Sequence, residues 1–218
     1  MKTRVLSVIT GLLCVITIAA GISYLASSNG QQIPESVAQE RVIVASAKWI
    51  KDFKSLREMT TDSDLVVVGV VTDIGPSRLI GDSPEAADAA INAGAIPGLL
   101  VTDYQYKIEQ VLKGKASVGD IITLTQTGGF WNGLTQYIQD DPLYELDERT
   151  ILFLQDISGD SVLAPNEQKY TINGTPQARF RIIDGQVFPV MEGDALANEL
   201  RGLSETDFVQ MVLQVVAP

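Results

Sequence analysis

Hydrophobic positions change their rhythm several times along this chain, and each rhythm predicts a different element. The first is an uncharged apolar run over residues 5–26, VLSVITGLLCVITIAAGISYLA, behind Lys2 and Arg4. It is long enough to cross a hydrocarbon core of about 30 Å and longer than the usual signal-peptide core of about 7–15 residues. The pattern predicts an N-terminal transmembrane helix. No Lys or Arg recurs until Arg41, so the positive-inside rule keeps the N-terminus in the cytoplasm and sends the rest of the chain outside. Ala26 and Ser28 also supply small residues for a cleavage site, which leaves a secreted product as the alternative. Cys14 follows Leu13 rather than a small residue, which disfavours a lipid-modified cysteine.

Residues 27–46 are mainly polar, contain Pro34 and predict a stalk. Trp49, Ile50, Phe53, Leu56 and Met59 then recur at helical spacing, opposite Lys51, Lys54 and Arg57. From Asp64 to Val71 the rhythm becomes a continuous β-branched run, the signature of a strand buried on both faces. Residues 72–98 predict a long connection with one short helix over Pro84 to Asn92, capped by Ser83. Between Leu99 and Leu112, Tyr104, Tyr106 and Ile108 alternate with Asp103, Gln105, Lys107 and Glu109, which predicts a half-exposed strand.

Ile121 to Thr127 and Thr150 to Leu154 predict further strands, the second central. Ser158-Gly159 and Asp184-Gly185 mark hairpin turns, the first leading into Ser161-Val162-Leu163 and the second joining Phe180–Ile183 to Gln186–Phe188. The last helix starts at a Ser204 cap and carries Phe208, Met211, Val212 and Val215 on one face. Many short strands and few helices predict a mainly β domain over residues 47–218, a small barrel or β-sandwich with flanking helices.

Composition narrows the chemistry. Sixteen Lys and Arg against 27 Asp and Glu give a net charge of -11, so a nucleic-acid backbone would meet a repulsive surface and no nucleic-acid partner is expected. There is no histidine, and the single cysteine lies in the apolar N-terminal run. A Ser-His-Asp triad, a His-based zinc site and an intramolecular disulfide are therefore excluded together. No cofactor is expected. An enzyme would have to work through paired carboxylates, Ser-Lys or Tyr chemistry, or an all-oxygen metal site.

The one stretch that looks like a phosphate loop is VLKGKASVGD, residues 111–120. It lacks the first glycine of the motif, Ala116 stands where Ser or Thr is needed, and another β-branched run follows instead of a helix. It reads as one strand handing over to the next. That handover, with Ser63–Gly69, Tyr106–Gly114, Gly119–Ile122 and Ile151–Leu154, resembles the netrin-like module family, which includes the tissue inhibitors of metalloproteinases. The resemblance covers roughly residues 56–190 and implies an OB-like five-stranded barrel with a flanking helix. Inhibition does not carry over, because those inhibitors use cysteines and none follows Cys14 here.

Candidate sites are few. Phe130 and Trp131 sit among glycines in Thr127–Gly133, with Tyr137 nearby; aromatic faces of this kind stack a sugar or clamp a peptide, or else plug a barrel end. The acidic segment 140–148 offers Asp140, Asp141, Glu145 and Asp147 as calcium ligands, but it lacks EF-hand spacing and its central glycine, which favours a solvated acidic loop. Asn173-Gly174-Thr175 matches a glycosylation sequon, and Arg179 and Arg181 share a strand face on which an anion could sit. The expectation is a single-pass cell-surface module, held in the membrane by residues 5–26, that binds an extracellular protein, peptide or glycan. A carboxylate-dependent hydrolase and a structural envelope component are the rival readings.

Overall fold

The structure, a computed structural model, describes residues 16–17, 41–49, 51–95 and 98–217. The segment expected to enter a membrane lies outside them apart from strand β1 (Ile16–Thr17), which pairs with the end of β2 (Arg41–Ala47). Among the described residues no helix is long and apolar enough to cross a membrane.

Mainly β architecture is built around a closed five-stranded barrel. Its strands are β3 (Leu65–Ile74), β5 (Leu99–Lys113), β6 (Ile121–Trp131), β8 (Arg149–Asp156) and β9 (Tyr170–Ile172). Strand β3 pairs antiparallel with β5 and β8, β5 with β6, and β8 with β9; one parallel bridge, Leu124 to Tyr170, closes β6 on β9. Short β4 (Arg78–Ile80) pairs with the start of β5. The hairpin arm of β6 continues into β7 (Leu134–Ile138), on which β2 lies parallel. Residues 41–46, expected in the stalk, are thus part of the sheet. On the other side β10 (Arg179–Ile183) and β11 (Gln186–Pro189) extend β8.

The unbroken apolar runs have a physical reason. Along β3, Leu65 and Val67 point into the barrel with Tyr104, Tyr106, Leu124 and Leu154. Their neighbours Val66 and Val68 point out into a second core with Ile151, Phe153, Phe180 and Phe208. Strands walled on both sides have no polar face to alternate with. The second core is roofed by α1 (Leu56–Asp62) and α4 (Glu205–Val216), with α3 (Ala195–Leu200) beside them. Three phenylalanines meet there, with Phe180 and Phe208 centroids 4.8 Å apart.

Helix α2 (Pro84–Asn92) and helix α4 begin at their expected caps: Ser83 accepts from the Ala86 N–H and Ser204 from the Asp207 N–H. The helix expected from Trp49 starts later. Ser55 caps α1 by accepting from Glu58, while the Phe53 N–H donates to Gln177 Oε1, which holds that segment extended against the domain. The strand expected at 161–163 is a turn instead, because Asp160 Oδ1 accepts from both the Val162 and Leu163 N–H; the partner of β8 is β9. Gly114, at φ 95°, makes the predicted turn after Lys113. Lys113 has a further role: its Nζ donates to the carbonyls of Thr60, Thr61 and Ser63 at 2.6–2.8 Å, neutralising the carboxyl end of α1.

Candidate binding groove and the buried arginine behind it

Glycine determines where the aromatic residues of β6 sit. Gly128 and Gly129 take φ of 114° and 151°, a region that side-chain-bearing residues avoid. A Cβ on Gly129 would collide with the hydroxyls of Ser77 and Thr102. That close approach lets the Ser77 Oγ accept from the Phe130 N–H at 2.9 Å and contact Thr102 Oγ1 at 2.8 Å, while Thr102 donates to the Gly128 carbonyl. The backbone is thereby pinned so that Phe130 projects, 58% exposed, over an open groove of about 500 Å³.

The groove runs between the β3–β4 connection, Ile74 to Ser77, the tip of β6, and Leu143-Tyr144 of the acidic segment; Thr102 and Tyr104 form its floor. Trp131 is half-buried and held in place, its Nε1 donating to Asp88 Oδ1 on α2 at 2.9 Å. Asn132 Nδ2 donates to the same oxygen at 2.6 Å. Tyr104 and Tyr144 stack edge to face at 5.1 Å. Burial pushes the Tyr104 hydroxyl up to about 12, so it stays protonated at any physiological pH.

The structure brings Phe130 and Trp131 to one groove but leaves Tyr137 out of its lining; Tyr137 is half-buried on β7. The four acidic candidates are dispersed. Asp140 and Asp147 are exposed at positive-φ turn positions, Glu145 is exposed, and Asp141 is buried. Among the described residues no three His, Cys, Asp or Glu side chains are placed to hold a metal ion. Asn173 is buried, donating to Asp62 and Ser63 and accepting from Lys51 Nζ, so the sequon serves an internal network.

The expected anion site on β10 is already filled by the protein. Arg179 alternates with Phe180, which faces the outer core, and is itself wholly buried under the acidic segment. Its Nη2 donates to both oxygens of Glu148, at 2.7 and 2.9 Å, and Nη1 to the Pro142 carbonyl at 2.6 Å and Asp141 Oδ1 at 3.4 Å. The Tyr144 ring lies 3.6 Å from the guanidinium carbon, a desolvated cation–π contact. Burial pushes the Asp141 carboxyl above the ordinary aspartate value, and the nearby Arg179 charge offsets part of that rise. Arg179 thus ties down residues 141–148 together with Gln126, whose side chain donates to the Pro142 carbonyl and accepts from the Tyr144 N–H, and with them the Leu143-Tyr144 wall of the groove.

A second cavity of about 370 Å³ opens beside β6, β8 and β9 and is mostly apolar; Asp141 and Asp160 both line it. Both carboxylates are structurally committed, Asp141 to Arg179 and Asp160 to two backbone amides. Sequence inspection passed over Ser77, Thr102, Leu143 and Tyr144. The available signal was the apolar pair Leu143-Tyr144 inside an otherwise acidic stretch. Compared with family models, with curated proteins and with solved structures, the chain matches none.

Proposed function

We propose that this chain is a membrane-anchored extracytoplasmic binding module of OB-like type that captures an extracellular partner in the groove of Phe130 and Trp131. The exposed, backbone-pinned Phe130 beside an immobilised tryptophan is the observation that carries the reading. Three hydrogen bonds among the Phe130 amide, the Ser77 and Thr102 hydroxyls and the Gly128 carbonyl hold the ring in water beside exposed Ile74 and Pro76, and exposed apolar side chains grouped at a groove mark an interaction site. The anchor follows from residues 5–26 and their basic start, and the OB-like assignment from the five-strand closure with a helix before its first strand.

Hydrolysis has weaker support. It would need a free carboxylate pair, and the two that share a cavity, Asp141 and Asp160, are engaged elsewhere. The test is site-specific photocrosslinking with the full chain in its native membrane. A photoreactive phenylalanine at position 130 should give a discrete adduct that the same residue at exposed Val118 does not. Equal labelling from both positions, or none from position 130, refutes the groove as the binding site.

A further inference from the structure

Resting on that reading, we infer that the groove takes an extended, proline-bearing peptide with a lysine or arginine beside its apolar residues, rather than a glycan. Sugar recognition needs free donors and acceptors, because a sugar hydroxyl buried without a partner loses its bonds to water and gains none in return. Most of the polar side chains here are already engaged. Ser77, Thr102 and Trp131 have internal partners, and Asn132 gives one N–H to Asp88. What remains on offer is apolar: Ile74, Pro76 and Phe130 are exposed and Leu143 is half-buried around the opening. Aromatic and apolar walls with few free hydrogen-bonding groups suit a polyproline-type ligand, whose rings and side chains stack while its own backbone stays solvated.

Charge supplies the second half of the assignment. Trp131 and Asn132 both donate to Oδ1 of Asp88, and Oδ2 takes no hydrogen bond among the described residues. Asp88 thus stands at the groove edge with a carboxylate oxygen to receive a cation. No Lys or Arg is among the described lining residues, and the chain as a whole carries -11. A basic ligand is steered in and an acidic one repelled.

The chain has two tryptophans, so incorporation of 5-fluorotryptophan yields two fluorine NMR lines, with Trp131→Phe assigning one and Trp49 serving as the internal control. Three probes are titrated into the full chain: a Pro-Leu dodecapeptide carrying lysines, the same peptide with glutamates, and a chitin trisaccharide. The lysine peptide should shift the Trp131 line at about ten-fold lower concentration than the glutamate peptide, a difference of about 1.4 kcal/mol. Phe130→Ala should weaken it by about ten-fold or more. Asp88→Asn, which keeps an acceptor for Trp131 and Asn132 while removing the charge, should erase the lysine preference. Equal response to both peptides, or a Trp131 shift with the trisaccharide alone, overturns the peptide assignment and leaves the groove as a binding site. A silent Trp131 line with all three overturns the assignment too, and the crosslinking result at position 130 then decides the groove independently.

Discussion

Replacing Arg179 by methionine tests the support of the groove most directly. The guanidinium is wholly buried, donates to both Glu148 oxygens and to the Pro142 carbonyl, and stacks on Tyr144. Methionine keeps much of the volume but strands Asp141, whose side chain is 5% exposed, and leaves Glu148 with Arg181 Nε at 3.3 Å as its remaining cation. Removing one partner of such a buried pair costs about 3–5 kcal/mol, a large share of the roughly 5–15 kcal/mol that holds a domain folded. Part of that loss should be recovered by acid. Burial already raises the Asp141 carboxyl, and the variant removes the Arg179 charge that offsets part of the rise, so the folded state binds more protons than the unfolded one between the two pKa values. The penalty is absent below the unfolded carboxylate value and grows as pH rises through the folded one. Urea unfolding followed by circular dichroism should therefore show a larger deficit at pH 8 than at pH 5. Adding Asp141→Asn to Arg179→Met should return part of the stability, because it removes the buried charge left without a cation. A deficit under about 1 kcal/mol, or one equal at both pH values, would refute the account.

Three further outcomes follow from the same geometry. Phe130→Ala removes an exposed ring and should change stability by no more than about 0.5 kcal/mol, so that any loss of binding is separable by its unchanged thermal midpoint. Gly129→Ala should cost about 1–3 kcal/mol, measured by the same thermal midpoint, because its Cβ collides with Ser77 and Thr102 at a positive φ; an unshifted midpoint would mean that the hydroxyls yield freely. Lys169→Met concerns Asp103: burial raises that carboxyl, but Lys169 at 2.7 Å, Thr125 and Arg78 outweigh it and hold it below the ordinary aspartate value. A lowered carboxyl contributes stability above its unfolded value and loses it as pH falls through the folded one. The variant should be weaker by about 1–3 kcal/mol at neutral pH, with the gap narrowing below about pH 4, and urea midpoints from pH 7 to pH 3 would expose a gap that fails to narrow.

Local rules were readable where one residue type answers one physical need. Ser83 with Pro84, and Ser204 with Asp207, marked helix starts because a hydroxyl must satisfy the free amides there. The doubly apolar β3 and β8 were readable as central for the same kind of reason. Long-range pairing left no such mark. Strand β2 joins a strand far along the chain, Arg41 opposite Leu134 of β7, and its pattern of exposed Val42 and Val44 resembles neither a core strand nor a stalk. Trp49 and Ile50 extended a helical stripe on paper, yet the Phe53 amide finds Gln177, a partner far away in sequence. Within the site, Phe130 and Trp131 stood out as aromatics among glycines. Arg179 stood out only as a place, with Arg181, for an outside anion; its burial against Glu148 and Pro142 was not legible, because a strand arginine carries no sign of whether a loop will fold over it.

Closure of the barrel rests on unequal seams. Strands β3 and β8 exchange a ladder over Leu65–Val70, and β5 and β6 one that joins Val101–Lys107 to Ile121–Thr127, whereas β6 and β9 meet at the single bridge from Leu124 to Tyr170. Breaking that bridge forfeits little of the hydrogen bonding and leaves a curled but otherwise intact sheet. In hydrogen-exchange terms the seam is a separate opening unit, whose amides trade protons through a local excursion at a rate set well below the global unfolding barrier. The tyrosine at the seam, tied by Gln168 Nε2 to its hydroxyl, is then the latch whose lifetime sets how often the barrel interior meets water.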